Sequence, residues 1–117
     1  MGPEIAVVVP THDRVQRALR LVEHLERQTL DPARYEIVLV DARSADGTAE
    51  RLAQRLASSP LRARVLRTER NLGPAAARNL GWRATSAPVV AFTDDDCVPA
   101  PGWVAGRLAA FAGGGPS

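Results

Sequence analysis

Cysteine is nearly absent. Cys97 is the one thiol in 117 residues, so no intrachain disulfide can form and nothing in the cysteine usage argues for secretion. Lysine is missing altogether. All fifteen basic residues are arginine, which together with the abundant alanine reflects coding bias rather than function. Aromatic residues make up only 4% of the chain, too few for a base-stacking platform among the arginines. No apolar run approaches the roughly 20 residues of a membrane-spanning helix. Met1-Gly2-Pro3-Glu4 carries no basic segment ahead of the first apolar run and does not read as a signal peptide. Three motifs are also missing. There is no Gly-x-Gly-x-x-Gly dinucleotide fingerprint after the first apolar run, no P-loop and no Gly-x-Ser-x-Gly nucleophile elbow.

What remains is ordinary for one globular domain: 45% apolar and 24% charged residues. A chain of this length buries about two-thirds of its unfolded surface and needs no covalent staple. The net charge is +2, unevenly spread. Residues 42–92 hold nine arginines against three acids, whereas residues 93–117 hold three acids and one arginine. The basic middle reads as a solvated face, so no nucleic-acid partner is expected.

Apolar runs alternate with amphipathic segments four times. Ile5-Ala6-Val7-Val8-Val9 is apolar on both faces, as in a strand buried on both sides of a parallel sheet. Pro10-Thr11-His12-Asp13 breaks it, and Val15, Ala18, Leu19, Val22 and Leu25 then recur at helical spacing up to Gln28. Tyr35 to Val40 predicts a second strand ending at Asp41, and Asp46-Gly47-Thr48 opens a second helix reaching Ala57. Arg62 to Arg67 alternates charged and apolar residues, as in a strand near a sheet edge. Pro74 opens a third helix ending near Ala84. Val89 to Phe92 predicts a fourth strand and Gly102 to Phe111 a fourth helix. Residues 1–112 are expected to form the domain and 113–117 a disordered tail.

Strand–helix alternation predicts an α/β, Rossmann-like parallel sheet with helices on both faces. The order 3-2-1-4 is the simplest, with strands one and four, the most apolar, expected to be central. Ligands of such sheets bind beyond the carboxyl ends of the strands, where the order reverses. That places Pro10 to Asp13 beside Asp94, Asp95 and Asp96, with Asp41 near them. Three adjacent carboxylates repel one another unless a cation is present. On an extended segment, Asp94 and Asp96 point one way and Asp95 the other. Carboxylates without histidine or cysteine pairs suit hard cations, Mg²⁺ or Mn²⁺, which bridge protein carboxylates to substrate phosphates. The plainer alternative is a solvated acidic loop or a helix cap. Cys97 is expected to be a small buried hydrophobe, His24 to be solvated, and Trp82 and Trp103 to be core or cover residues.

Five segments, in this order and spacing, resemble the family 2 glycosyltransferases of the GT-A fold. They are Val7 to Arg14, Gln28-Thr29, Val40 to Thr48, Asn71 to Asn79, and Phe92 to Asp96 with Pro101-Gly102-Trp103. The resemblance implies a nucleotide-diphospho-sugar donor and a Mn²⁺ or Mg²⁺ ion. It implies that Pro10 and Thr11 line the nucleotide, that Asp41 contacts base and ribose, and that Arg78 lies in the segment closing over the nucleotide. Asp94 to Asp96 match the DxD motif. Asp96 would be the direct metal ligand, with Asp94 and Asp95 serving the ribose and the metal's water shell. Two departures stand out. Asp41-Ala42-Arg43 replaces the family's paired aspartates and glycine, and His12 stands where an aromatic residue is common.

The family transfers the sugar to an acceptor hydroxyl with inversion, which needs a base to take the hydroxyl proton. No residue of this chain matches that base. It and the acceptor half are expected beyond residue 117, which would make the chain the nucleotide-binding portion of the enzyme, inactive in isolation. The alternative is a non-catalytic nucleotide-sugar-binding module. A nucleotidyltransferase would carry a Gly-rich basic loop after strand one, which Pro10 to Asp13 is not. The resemblance implies a cytoplasmic protein, many relatives acting at the cytoplasmic membrane face.

Overall fold

The computed structural model describes residues 2–114. Its elements run β1 (Ile5–Thr11), α1 (Val15–Glu26), a 3-10 turn (Pro32–Arg34), β2 (Tyr35–Asp41), α2 (Thr48–Leu56), β3 (Arg62–Arg67), α3 (Pro74–Arg83), β4 (Val89–Phe92) and α4 (Trp103–Gly114). Apolar side chains on both faces of β1 and β2 demand cover on both faces, and the helices supply it. The strands form one parallel sheet in the order β3-β2-β1-β4, as the alternation predicts.

Strand pleating divides the core in two. Ile5, Val7 and Val9 of β1, with Ile37 and Leu39 of β2, pack against Ala18, Leu21, Val22 and Leu25 of α1, Leu52 of α2 and Val104 of α4. The alternate residues Val8, Val38 and Val40 face the other way, onto Ala77 of α3. One face thus carries three helices and the other carries α3. The α3 axis lies so close to the sheet that a Cβ on Gly81 would sit 2.4 Å from Val8 Cγ1 and 3.1 Å from Val40 Cγ2.

Several expectations need correcting. β4 is not central. It pairs with β1 alone, from Ile5↔Val89 to Val8↔Phe92, and its residues are half-buried or exposed. An apolar run reads alike in the centre and at the edge, and burial depends on what pairs with it. β1 and β2 fill the centre. β1 continues through Pro10 to Thr11, where the sequence places a break. Thr11 O accepts from Ala42 N at 2.9 Å and Val8 O from Thr93 N at 3.2 Å. The alternation of strand groups therefore turns residue 10 toward the β4 side. Since β4 pairing stops at Phe92, the missing proline N–H leaves no sheet acceptor unfilled. α4 extends through Gly113 and Gly114, inside the expected tail, and residues 115–117 lie outside the described residues. Cys97 is exposed rather than buried, and Trp82 is 48% exposed, its indole N–H donating to Asn79 Oδ1 at 3.0 Å. Trp103 packs against the larger core as expected, whereas His24 is only partly exposed.

Candidate functional site

The carboxyl ends of β1 and β4 diverge around an open cavity of about 400 Å³. Its floor is Pro10, Thr11 and Ala42, with His12 and Arg14 along one side. Asn71, Gly73, Pro74, Ala77 and Arg78 form a second side, and Asp94, Asp95 and Asp96 a third. This is the switch point where open α/β sheets bind ligands.

The α3 side is a helix start. Gly73 has φ +92°, a left-handed conformation that favours glycine, and Asn71 Oδ1 accepts its N–H at 2.9 Å. Pro74 then takes the first helical position, and Ala77 N bonds back to Gly73 O at 3.2 Å. That leaves the Ala75 and Ala76 N–H groups without intrahelical acceptors in the turn that follows the lining residues Gly73 and Pro74. Such an end attracts anions.

The acidic side is a turn, not the extended segment expected, with Cys97 N donating to Asp94 O at 3.2 Å. The separation of the carboxylates holds nonetheless. Asp95 is buried and accepts from Thr11 Oγ1 at 2.9 Å and from Arg14 Nη1 at 3.4 Å. Asp94 and Asp96 stay exposed, and their oxygens lie with Cys97 Sγ within 4.8 Å of one another. Arg78 Nη2 reaches Asp94 Oδ1 at 3.3 Å. No helix begins at this turn, so the helix-cap alternative falls. Within this cavity two guanidiniums, Arg14 and Arg78, line the wall with three carboxylates, and a divalent cation between Asp94 and Asp96 would offset the difference. Carboxylate oxygens in that number suit Mg²⁺ or Mn²⁺. The donor set therefore fits the ion that the sequence implies.

Asp41 is placed differently. It is fully buried and does not line the cavity. Both its oxygens accept from Ser44 N, at 3.2 and 3.3 Å, the Ser44 hydroxyl donates to Oδ1, and Arg67 Nε lies 3.4 Å from Oδ2. Ser44 Oγ in turn accepts from Asp13 N at 2.8 Å, and Asp13 Oδ1 accepts from Ala45 N at 2.7 Å. Asp46 Oδ2 accepts from Val15 N at 3.3 Å. The loops after β1 and β2 are thus tied to each other, and Asp41 holds the tie from beneath. Asp13 and Arg43 both adopt positive φ, +50° and +62°, a conformation these bonds help to hold. Asp46 sits below the usual carboxylate range, chiefly because the Thr48 hydroxyl donates to it. His12 lines the cavity. Its Nδ1 donates to Ala42 O at 2.8 Å, since a carbonyl can only accept, which turns Nε2 to within 3.2 Å of Asp13.

Of the residues singled out from sequence, Pro10, Thr11, His12, Arg78, Asp94, Asp95 and Asp96 converge on one cavity. Asp41 lies beneath it. Arg14, Asn71, Gly73 and Ala42 belong to the wall but were not picked out individually. The signal for Gly73 was available: glycine before a helix-opening proline marks a position needing unusual φ. Nothing local marks Arg67, which reaches Asp41 from the neighbouring strand.

Among curated proteins, the chain is 28% identical over 113 residues to the glycosyltransferase AglE of Haloferax volcanii, covering 97% of this chain and 37% of that one. It is 36% identical over 116 residues to validoxylamine A glucosyltransferase of Streptomyces hygroscopicus subsp. limoneus, covering 98% of this chain and 25% of that one. Thus it spans little more than a third, or less, of these relatives' length. Among solved structures, S. aureus TarS in complex with UDP superposes with a TM-score of 0.84 at 24% identity, over 93% of this chain and 32% of that one. The mannosyltransferase PcManGT of Pyrobaculum calidifontis, in complex with GDP-Man and Mn²⁺, gives 0.78 at 24% identity, over 85% and 29%. These likenesses establish the fold. The sequence profile of Glycosyl transferase family 2 matches residues 6–117, and the chain belongs to that family.

Proposed function

We propose that the chain binds the nucleotide-diphospho-sugar donor of a glycosyltransferase that passes the sugar to an acceptor hydroxyl with inversion. One observation carries the reading: the start of α3 and an exposed carboxylate pair line one cavity at the switch point. A nucleoside diphosphate needs both, donors for its phosphate oxygens and a cation to offset their charge. Asp94 and Asp96 would hold Mn²⁺ or Mg²⁺, which when bound stabilises the departing diphosphate. The chain's own residues do the rest. The Ala75 and Ala76 N–H groups and Arg78 orient the phosphates, Pro10 and Ala42 give the nucleoside an apolar floor, and His12 offers its ring edge beside it. Asp95, clamped by Thr11 and Arg14, fixes the turn that presents Asp94 and Asp96. Asp41 acts one layer below, by setting the loop that carries Ala42.

UDP and GDP titrated by calorimetry test this. Affinity with Mn²⁺ or Mg²⁺ should exceed that in a chelator by about tenfold or more, ~1.4 kcal/mol. Equal affinity in both conditions removes the metal from the site. A donor-hydrolysis assay separates an enzyme from a module that binds the nucleotide sugar and transfers nothing.

A further inference from the structure

A second cavity, of about 230 Å³, abuts the first and shares Asp95 and Asp96 with it. Its remaining wall is Arg17, Arg20 and Cys97. Arg17 and Arg20 are three residues apart on α1 and so share a helix face. Both are exposed, and neither forms an ion pair among the described residues. Arg14, one step earlier on the same side, lines the larger cavity. A row of three guanidiniums therefore runs from the donor cavity into the smaller one.

We propose that the smaller cavity binds an anionic group, phosphate or carboxylate, carried by the acceptor. Asp95 is already engaged by Thr11 and Arg14, and Asp96 faces the cation site, so Arg17 and Arg20 set the sign of the cavity. Two unpaired guanidinium forks present donors in the geometry that oxyanions take. The shared wall fixes the ligand's position. A molecule anchored there by its charged group lies beside the donor cavity, and its hydroxyl would reach past the turn to the face of the anomeric carbon opposite the departing diphosphate. The assignment to the acceptor rests on the donor reading above. The anion site itself rests on Arg17, Arg20 and the cavity.

Amide NMR spectra of the chain, saturated with UDP and Mg²⁺, test it by titration with glycerol phosphate, gluconate and uncharged glycerol. Saturable shifts at Arg17, Arg20 and Cys97 are expected with an anionic probe and not with glycerol. The stronger anion identifies phosphate or carboxylate as the group. In the double variant Arg17→Gln, Arg20→Gln, the anion affinity should fall by about tenfold or more, the loss of a charge-assisted bond. UDP affinity should stay within about twofold of the parent chain, since neither arginine lines the donor cavity. Shifts confined to Asn71–Arg78, or an anion response unchanged in the variant, overturn the proposal. If UDP fails to bind while the arginine-dependent response survives in the ligand-free chain, the donor reading falls and the anion site stands.

Discussion

Asp41 ends β2 and Asp96 lies in the turn after β4, and one is fully buried while the other is exposed. The difference separates what each substitution should do. Asp41→Asn keeps the shape but loses the charge opposite Arg67 and weakens the bonds to Ser44. Stability should fall by about 1–3 kcal/mol, read as a lower urea midpoint. An unchanged midpoint with lost nucleotide binding would instead make Asp41 a direct ligand contact. Asp96→Asn should leave stability within about 0.5 kcal/mol, as for exposed positions generally. It should weaken Mn²⁺-dependent UDP binding by about tenfold or more. A metal-induced rise in melting temperature that survives this substitution unchanged takes Asp96 out of the metal site. The sequence placed Asp94 to Asp96 correctly because strand order alone carries them to the switch point. That Asp41 would be fully buried was not legible, because Arg67, which faces its carboxylate, arrives from another strand. Ser44, three residues after Asp41, was the legible part of that signal.

At the scale of elements, α3 covers its face of the sheet alone, and Gly81 sets how closely. Gly81→Ala adds helix propensity worth up to about 1 kcal/mol. The new Cβ, however, meets the β-branched Val8 on a central strand at 2.4 Å, and overpacking of this kind costs about 1–3 kcal/mol. The clash should win, giving a net loss in thermal or urea melts. Val8→Ala in the same chain should recover part of it, a coupling that a double-mutant cycle measures. On the opposite face, Glu26 at the end of α1 accepts from Arg55 of α2 and, at 2.6 Å, from Ser59. The Arg55 bond, followed by Ser59 and offset by burial, holds the Glu26 carboxyl below its usual range. A lowered native pKa means that the unfolded state binds more protons in acid, so the pair stabilises fully above about pH 4.3, the ordinary glutamate value. The contribution fades as pH falls through the lowered value. Glu26→Gln should cost about 0.5–1 kcal/mol at neutral pH, and the gap from the parent chain should close in melts below about pH 4. A gap that persists undiminished at pH 2 would sink the electrostatic account.

For the molecule as a whole, the Cα radius of gyration is 13.5 Å, matching the roughly 13 Å of a compact chain of this size. Its protection is nonetheless uneven. β1 and β2 are buried on both faces and paired on both edges, whereas β4 pairs on one edge and leaves Phe92 44% exposed. Native-state hydrogen exchange should therefore rank the amides of β1 and β2 slowest and those of β4 markedly faster. Equal protection across the four strands would contradict that gradient. Strand order, helix placement and the location of the cavity were legible because period-two and period-3.6 patterns survive in a single sequence. The standing of β4 was not, because apolar content reports what a strand tolerates and not how many neighbours it has.

The proline in β1 bears on how the cavity comes to be open. In a parallel ladder, the rung after Val8 O to Thr93 N would run from the residue-10 N–H to the Thr93 carbonyl. Proline has no hydrogen to offer there. The zipper between β1 and β4 is thus unable to close by one more tooth, and the backbone itself sets where the two strands stop pairing. The aperture is a property of the covalent chain, present before any ligand arrives.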